Sequence, residues 1–267
     1  PLATTTEVMM TLKYYHAEPL ATSLKSMIPL KEKGLAYESI YVDLHKFEQH
    51  SDWFTAINPE GQVPVLDHDG VIITHTTVIN EYLEDAFPDA QPESGPLRPR
   101  NPEGAARMRY WNKFVDEHVM NHVSMHGWHR MIRIITQNIE EGTFEELMAR
   151  IPLPDQRKKW MTARSGFSEA DLANATVKID YALDKVETQL GTTAWLAGDS
   201  YTLADINFYS HCGAMVERMF PDLEVATRFP RLVDWRERVT ARPAVAQALK
   251  AEDRTMPGLR TWSGHVR

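Results

Sequence analysis

The chain has 267 residues, of which 43% are hydrophobic, so it is long enough to bury one large core or two smaller ones. Its formal net charge of −8 argues against nucleic acid or an anionic membrane surface as a partner. No apolar run approaches the roughly 18 residues that a membrane helix requires. The single cysteine, Cys212, excludes an intrachain disulfide and fits the reducing cytoplasm, where we expect the protein to act. We expect Cys212 to be a buried, inert thiol rather than a nucleophile.

The first third of the chain alternates strand and helix patterns. Residues 10–15 (MTLKYY) are predicted to form a strand, residues 21–33 a helix closed by Gly34, and residues 36–43 a second strand. A strand, a helix and a strand in such close succession predict a right-handed parallel βαβ unit.

The continuation of this half predicts a helix, a hairpin and another helix. Residues 46–57 have a weaker helical pattern. The stretch VPVLDHDGVIIT is typical of a β-hairpin turned by Asp69 and Gly70. Residues 76–87 form an amphipathic helical pattern. The predicted order of this α/β half is therefore βαβαββα.

The remaining sequence is predicted to be all-helical. We divide the chain into a first domain of residues 10–88, a linker of residues 89–104 rich in Pro, Gly and Arg, and a helical domain of residues 105–255. Residues 256–267 form a C-terminal tail.

Capping residues mark the helices of the second domain. Ser168, followed three residues later by Asp171, predicts the start of a long helix that ends at Gly191. Thr202 and Asp205 repeat this pattern. Two short helices, separated by Pro243, end the domain.

Three motifs in this order are similar to those of the cytosolic glutathione transferases. NPEGQVPVL resembles the thioredoxin-like segment in which a cis-proline, here Pro64, precedes the third strand. LAGDSYTLADI resembles the capping box of the family's helical domain, and ARPAVAQAL resembles its C-terminal helices. The resemblance implies a thioredoxin-like N-terminal domain that binds glutathione and an all-α C-terminal domain that binds the second substrate.

Several longer stretches look closer still to the bacterial β-etherases, which cleave β-aryl ethers derived from lignin. They are ATSLK, KFEQHSDWF, INPEGQVPVL, VINEYLED and IPLPDQRKKWMTARSGF, and the last lies in an insertion that a generic transferase would lack. The resemblance implies attack of the glutathione thiolate on the carbon next to a ketone, with displacement of an aryloxide.

The implied nucleophile is the glutathione thiol, which must be ionised. A thiol with a pKa of about 8.5 is only slightly ionised at neutral pH. The N-terminus of the helix that begins near Ala21 can stabilise the anion through its free N–H groups and its dipole. From the match on ATSLK, Ser23 is the first candidate to donate a hydrogen bond to the thiolate, and Thr22 is the second. Alternatively, both hydroxyls only cap the helix.

The resemblance also implies which residues hold the rest of glutathione. The backbone of Val63, before Pro64, would pair with the cysteinyl unit. The KFEQH segment offers Lys46, Gln49 or His50 for the glycyl carboxylate.

The γ-glutamyl contact departs from the family pattern. The family typically has an acidic residue followed by serine, where this chain has His75 and Thr76. Thr76 can replace the serine, but a neutral imidazole at position 75 brings no negative charge. Loss of the charge-assisted contact would weaken glutathione binding about 10- to 150-fold.

We expect the aromatic substrate to bind between the domains, although each candidate could instead be core packing. The candidates are Tyr15, His16, Trp111, Phe114, Met125 and Trp128. His118, His122 and His126 have helical spacing, but no HExxH pattern or carboxylate accompanies them, so we expect no metal site.

Four functional interpretations stay open. The chain is an active β-etherase, or a catalytically weakened subunit that pairs with a competent partner in a heterodimer, or a glutathione transferase of other thiol-transfer specificity, or a protein that only carries a ligand. Transferases of this fold generally form dimers, so both a homodimer and a heterodimer are expected possibilities.

Overall fold

The computed structural model describes residues 11–213 and 215–251. The first half contains one mixed sheet made of β1 (Leu12–His16), β2 (Glu38–Tyr41), β3 (Val65–His68) and β4 (Val71–Thr74). The strand order is β2-β1-β3-β4, with β1 and β2 parallel and the other neighbours antiparallel. Met10, predicted to begin the first strand, lies outside the described residues.

The helices of this half are α1 (Ala21–Glu32), α2 (Asp52–Thr55) and α3 (Thr76–Ala86). Helix α1 connects β1 to the parallel strand β2 and ends before Gly34, which has a φ of 63°. The hairpin between β3 and β4 turns at Asp69 and Gly70, both with positive φ. The predicted βαβαββα order is therefore confirmed.

The segment predicted as a helix at residues 46–57 is more broken than its pattern indicates. It contains two single 3-10 turns, Leu44–Lys46 and Glu48–His50, before the short helix α2. The Asp43 carboxylate accepts backbone N–H bonds at the first turn. Phe47, between the two turns, has a left-handed φ of 56° and interrupts the helix. The local caps and this conformation override the periodicity.

The second half is helical, as predicted. Its first helix begins at Pro102, with Asn101 as its cap, and therefore starts inside the predicted linker. No helix in the described ranges is both long and apolar enough to cross a membrane. The predicted tail, residues 256–267, lies outside those ranges.

Two π-helical turns, Val115–Val119 and Trp128–Ile132, join three of these helices into one continuous run. The helices of this half are α4 (Pro102–Phe114), α5 (Met120–Gly127), α6 (Arg133–Gln137), α7 (Glu141–Arg150), α8 (Pro154–Ser165), α9 (Glu169–Leu190), α10 (Leu203–Cys212), α11 (Val216–Met219), α12 (Val225–Arg228), α13 (Pro230–Thr240) and α14 (Pro243–Leu249).

The predicted caps are present at α9 and α10. The Ser168 hydroxyl accepts a hydrogen bond from the backbone N–H of Asp171 at 3.1 Å. Thr202 and Asp205 form a reciprocal capping box, and the buried Asp205 carboxylate also accepts the indole N–H of Trp235 at 2.9 Å. The capping box thus anchors α10 to α13 as well as starting the helix.

A buried polar network joins the two halves. The Lys25 ammonium on α1 donates to an Asp116 carboxylate oxygen at 2.7 Å and to the Thr77 hydroxyl at 2.8 Å. Thr77 donates to the other Asp116 oxygen, and the side-chain amide of Asn207 also donates to Asp116. Helix α1, which begins beside the Thr22 and Ser23 hydroxyls, is therefore bonded directly to the helical run after α4 and, through Asp116, to α10.

Candidate active site

A cavity of about 390 Å³ lies between the two halves, a size typical of small-molecule sites. The sheet half contributes the start of α1, with Thr22 and Ser23, and the loop that contains Val63. The helical half contributes aromatic and apolar side chains, among them Trp128 and Trp160. The cavity therefore has a helix N-terminus on one wall and an aromatic surface on the other.

Ser23 lies at this helix N-terminus with its side chain buried at 2% exposure. Its Oγ accepts a hydrogen bond from the backbone N–H of Ala17 at 3.1 Å, and no described residue accepts its own proton. The hydroxyl can therefore still donate into the cavity. The N-cap residue of α1 is Leu20, so neither Ser23 nor Thr22 occupies the cap position.

Val63, Gln49 and His50, three of the predicted glutathione contacts, line the same cavity. The Val63–Pro64 peptide is cis, and no hydrogen bond from the described chain engages the backbone of Val63. The Gln49 Oε1 atom and both ring nitrogens of His50 also lack partners there. Buried polar groups without partners are uncommon in proteins, so these groups are suited to a polar ligand.

His50 is neutral and closely packed. Burial lowers the pKa of its imidazole to about 4. Gly61 is required beside it, because a Cβ at that position would lie 2.5 Å from His50 Nδ1. A neutral imidazole has one N–H, which can donate to a ligand carboxylate without a buried positive charge.

The other predicted glutathione contacts do not line this cavity. Lys46 is exposed, with its ammonium 3.0 Å from an Asp43 carboxylate oxygen. Thr76 is the first residue of α3, and its carbonyl accepts a hydrogen bond from the Ser26 hydroxyl. Pro64 is buried.

His75 has a carboxylate beside it. Its side chain is 61% exposed, and its Nε2 atom lies 3.5 Å from an oxygen of Glu60. His75 has a left-handed φ of 62°, which turns the chain from β4 into α3. A carboxylate is thus present beside position 75, from a residue three positions before Val63.

Of the predicted aromatic-pocket residues, the structure places only Trp128 on the cavity wall. Tyr15 packs in the core of the sheet half, and His16 is fully buried with hydrogen bonds to Ala17 and Ser39. Trp111 and Phe114 belong to the main hydrophobic core, and the partly buried Met125 does not line the cavity. The side chains on β1 and α4 do not reach the cavity because the buried faces of these two elements pack into the hydrophobic cores.

Among the lining residues that were not identified from the sequence are Lys159, Trp160 and His211. Two of them lie in the stretch IPLPDQRKKWMTARSGF, which carried part of the family resemblance. His211 on α10 is 4% exposed, and its Nε2 atom has no partner among the described residues. Burial, reinforced by the nearby Lys25 charge, lowers the pKa of His211 to about 3, so the imidazole is neutral.

The histidine series at residues 118–126 does not form a cluster. His122 donates to the carbonyl of His118 at 2.8 Å, and His126 donates to the carbonyl of Leu172 at 3.0 Å. Within the described ranges, no three His, Cys, Asp or Glu side chains are grouped so that they could hold a metal ion.

The chain's own thiol is unsuited to nucleophilic attack. Cys212 is a free cysteine buried on α10, as predicted. Burial raises the pKa of its thiol, which keeps the sulfur protonated. A sulfur nucleophile in this cavity would have to come from a bound ligand.

Comparison with known proteins identifies both halves. Residues 10–85 match the N-terminal domain family of glutathione S-transferases, and residues 151–243 match the C-terminal domain family. The protein LigF of Sphingobium sp. (strain NBRC 103272 / SYK-6) is 41% identical over 92% of this chain and 95% of its own length. Glutathione S-transferase F13 of Arabidopsis thaliana is 26% identical over 88% of this chain and 93% of its own length.

Solved structures agree with these similarities. The crystal structure of the beta-etherase LigF from Sphingobium sp. strain SYK-6 superposes with a TM-score of 0.86, covering 91% of this chain and all (100%) of that chain. Glutathione transferase F7 from Populus trichocarpa, at 23% identity, superposes with a TM-score of 0.67 over 89% of this chain and 97% of its own, which shows the shared fold.

Proposed function

Because the chain belongs to the glutathione S-transferase family, we propose that it uses the glutathione thiolate to cleave β-aryl ethers of lignin-derived compounds. The observation that carries this proposal is the likeness to LigF, which extends over nearly the whole of both chains. The cavity supports it, because a helix N-terminus with a free hydroxyl donor faces an aromatic wall.

The proposed reaction is a displacement at the carbon that bears the aryl ether, next to a ketone. A carbon–sulfur bond forms and the carbon–oxygen bond breaks, so that the electron pair leaves with the aryloxide, which then takes up a proton. The aryloxide leaves readily, because the pKa of its conjugate acid is near 10, as for tyrosine. Fixing the two reactants together and stabilising one thiolate are then the main requirements.

The chain's residues divide these tasks. Ser23 donates a hydrogen bond to the sulfur, and the free N–H groups of α1 add to the positive potential there. The backbone of Val63 pairs with the cysteinyl unit. Neutral His50 donates its one N–H to a glutathione carboxylate, and the Gln49 Oε1 atom accepts a hydrogen bond from an N–H of the tripeptide, so both residues gain partners that they otherwise lack. Trp128 and Trp160 contact the aromatic rings of the ether.

Ser23→Ala is expected to lower kcat for ether cleavage about 10- to 150-fold, since it removes a hydrogen bond to a charged group. The pKa of bound glutathione should rise by about 1–2 units, which is measurable from the ultraviolet absorbance of the thiolate. Thr22→Val is the matched control, because Thr22 lines the cavity beside Ser23, and it should change both values much less. Equal effects of the two variants, or no effect of Ser23→Ala, would contradict the assignment.

We further propose that Glu60 supplies the acidic contact that the family has at position 75. Its carboxylate lies beside His75 and could accept the γ-glutamyl ammonium. Glu60→Gln should weaken glutathione binding about 10-fold or more in calorimetry. Asp52→Asn, which removes another exposed carboxylate from the same region, should leave the affinity unchanged.

The same titration tests the second candidate function, a weakened subunit of a heterodimer. The exposed position of His75 is the observation that favours it. If the chain alone binds glutathione only at millimolar concentration and cleaves ethers only when mixed with a related subunit, the partner role is correct. In that case Glu60→Gln would change little, because no tight contact exists to lose.

We also infer that the protein forms dimers. Apolar side chains are exposed on β4 at Val71 and Ile72, on α3 at Val78, on α4 at Tyr110 and on α9 at Tyr181. Apolar side chains exposed one at a time are ordinary on a protein surface, so the inference rests on the family, whose members generally form dimers. Both a homodimer and a mixed dimer stay open.

A further inference from the structure

The cavity wall contains one lysine that no part of the proposed reaction uses. Lys159 on α8 lines the cavity and is partly buried. Its ammonium donates to the Ser124 hydroxyl at 2.8 Å and lies 4.4 Å from the ring centre of Trp128. These contacts hold the Lys159 ammonium against the side of the cavity that the helical half forms, whereas α1 lies on the other side.

This ammonium has no carboxylate partner in the part of the chain that the structure describes. Glu18 also lines the cavity, but its carboxylate is bonded to the Tyr41 hydroxyl and to His45. Burial lowers the pKa of Lys159 to about 8, so the group is still mainly protonated at neutral pH. A positive charge in an aromatic pocket without a counter-ion is costly, unless a ligand supplies the negative charge.

A purely structural role does not account for this position. Lysines commonly bury their aliphatic stem and extend the charged end into water. Here the end of the side chain lies over Trp128, whose ring is 4.8 Å from that of Trp160. The ammonium therefore lies against Trp128, one of two adjoining rings proposed to contact the aromatic substrate.

We propose that Lys159 binds an anionic oxygen of the aromatic substrate and thereby sets substrate specificity at the helical wall of the cavity. The identity of that substrate rests on the function proposed above. The oxygen has two possible sources: the aryloxide that develops as the ether bond breaks, or a carboxylate that the substrate carries permanently. Both would form a charge-assisted hydrogen bond with the ammonium.

A binding experiment tests the proposal without any turnover. Phenoxyacetate and its neutral analogue phenoxyacetamide are titrated into the protein with glutathione present, and binding is followed by calorimetry and tryptophan fluorescence. The unchanged protein should prefer the carboxylate by about 10-fold or more. Lys159→Met should abolish the preference, and Lys159→Arg should retain most of it. Lys158→Met, at the exposed neighbouring position on α8, should behave like the unchanged protein.

Kinetics then distinguish the two sources of the oxygen. If Lys159 stabilises the departing aryloxide, Lys159→Met should lower kcat increasingly as the leaving phenol becomes more basic, with KM for glutathione unchanged. If it binds a permanent carboxylate, the loss should appear as a raised KM for carboxylated ethers only.

Two results would overturn the proposal. One is that the Lys159→Met variant melts at the same temperature as the parent protein and still prefers phenoxyacetate by the same factor. The other is that the substitution changes only KM for glutathione, which would show that Lys159 contacts glutathione and not the aromatic substrate. If the parent protein cleaves no ether at all, the proposed function fails, but the phenoxyacetate preference still tests Lys159.

Discussion

Replacing Lys25 with methionine is expected to lower the free energy of unfolding by about 3 kcal/mol. The change removes a buried ammonium and leaves the Asp116 carboxylate without its 2.7 Å ion-pair partner. Asp116 is 32% exposed and keeps its bonds to Thr77 and Asn207, so the effect lies at the lower end for a broken buried ion pair. Urea-induced unfolding at neutral pH measures it.

The double variant Lys25→Met/Asp116→Asn should be less destabilised than the sum of its single variants, because no uncompensated charge is left. Lys113→Met is the matched control: Lys113 forms an exposed ion pair with Glu117 on the same helical run, and its loss should change stability by less than about 1 kcal/mol. Additive single variants would show that the buried pair is not coupled. Since this pair fixes α1 against the helical half, it also holds together the two walls of the cavity.

Mild acid is expected to destabilise the protein through His50 and His211. The ordinary pKa of 6.5 falls to about 4 for His50 and to about 3 for His211 in the folded state. Below pH 6.5 the unfolded chain therefore takes up protons that the folded chain does not, and the free energy of unfolding decreases as pH falls. Between pH 6.5 and pH 5 each histidine should contribute a loss of roughly 1 to 2 kcal/mol.

Urea-induced unfolding at these two pH values, in the parent and in the single variants His50→Asn and His211→Asn, tests this expectation. Each variant should lose the part of the acid-dependent decrease that its histidine contributes, because asparagine does not titrate. His118→Asn removes an exposed imidazole and should retain the full decrease. Burial also lowers the pKa of His126, which acts in the same direction, and raises the pKa of Asp205, which acts in the opposite one. If both variants lose as much unfolding free energy between pH 6.5 and pH 5 as the parent does, His50 and His211 are not the cause of the acid sensitivity.

The backbone architecture was largely predictable because its signals are local. The Asp69–Gly70 turn, the Ser168 cap and the capping box of Thr202 and Asp205 each act between residues close together in the chain. The exception is residues 46–57, where the left-handed conformation of Phe47 interrupts a pattern that favours one helix. Hydrophobic periodicity contains no information about a single backbone conformation of this kind.

In the candidate site, too, the residues marked by a local motif were predictable and the others were not. Ser23 was located by the match on ATSLK at the predicted start of a helix, and Val63 by the motif around Pro64, and both line the cavity. The aromatic wall was harder to predict, because composition does not tell a core ring such as Trp111 from a lining ring such as Trp160.

The sequence alone determined three features: the two-domain fold, the order of its elements and the start of the helix that contains Ser23. Each depends on residues that are neighbours in the chain. Only the tertiary structure decided which side chains share the cavity. It brought Lys159 and His211 there from different helices and placed the Glu60 carboxylate beside His75. Burial and charge pairing depend on how separated elements pack against one another, and packing of that kind is not encoded in any short stretch of the chain.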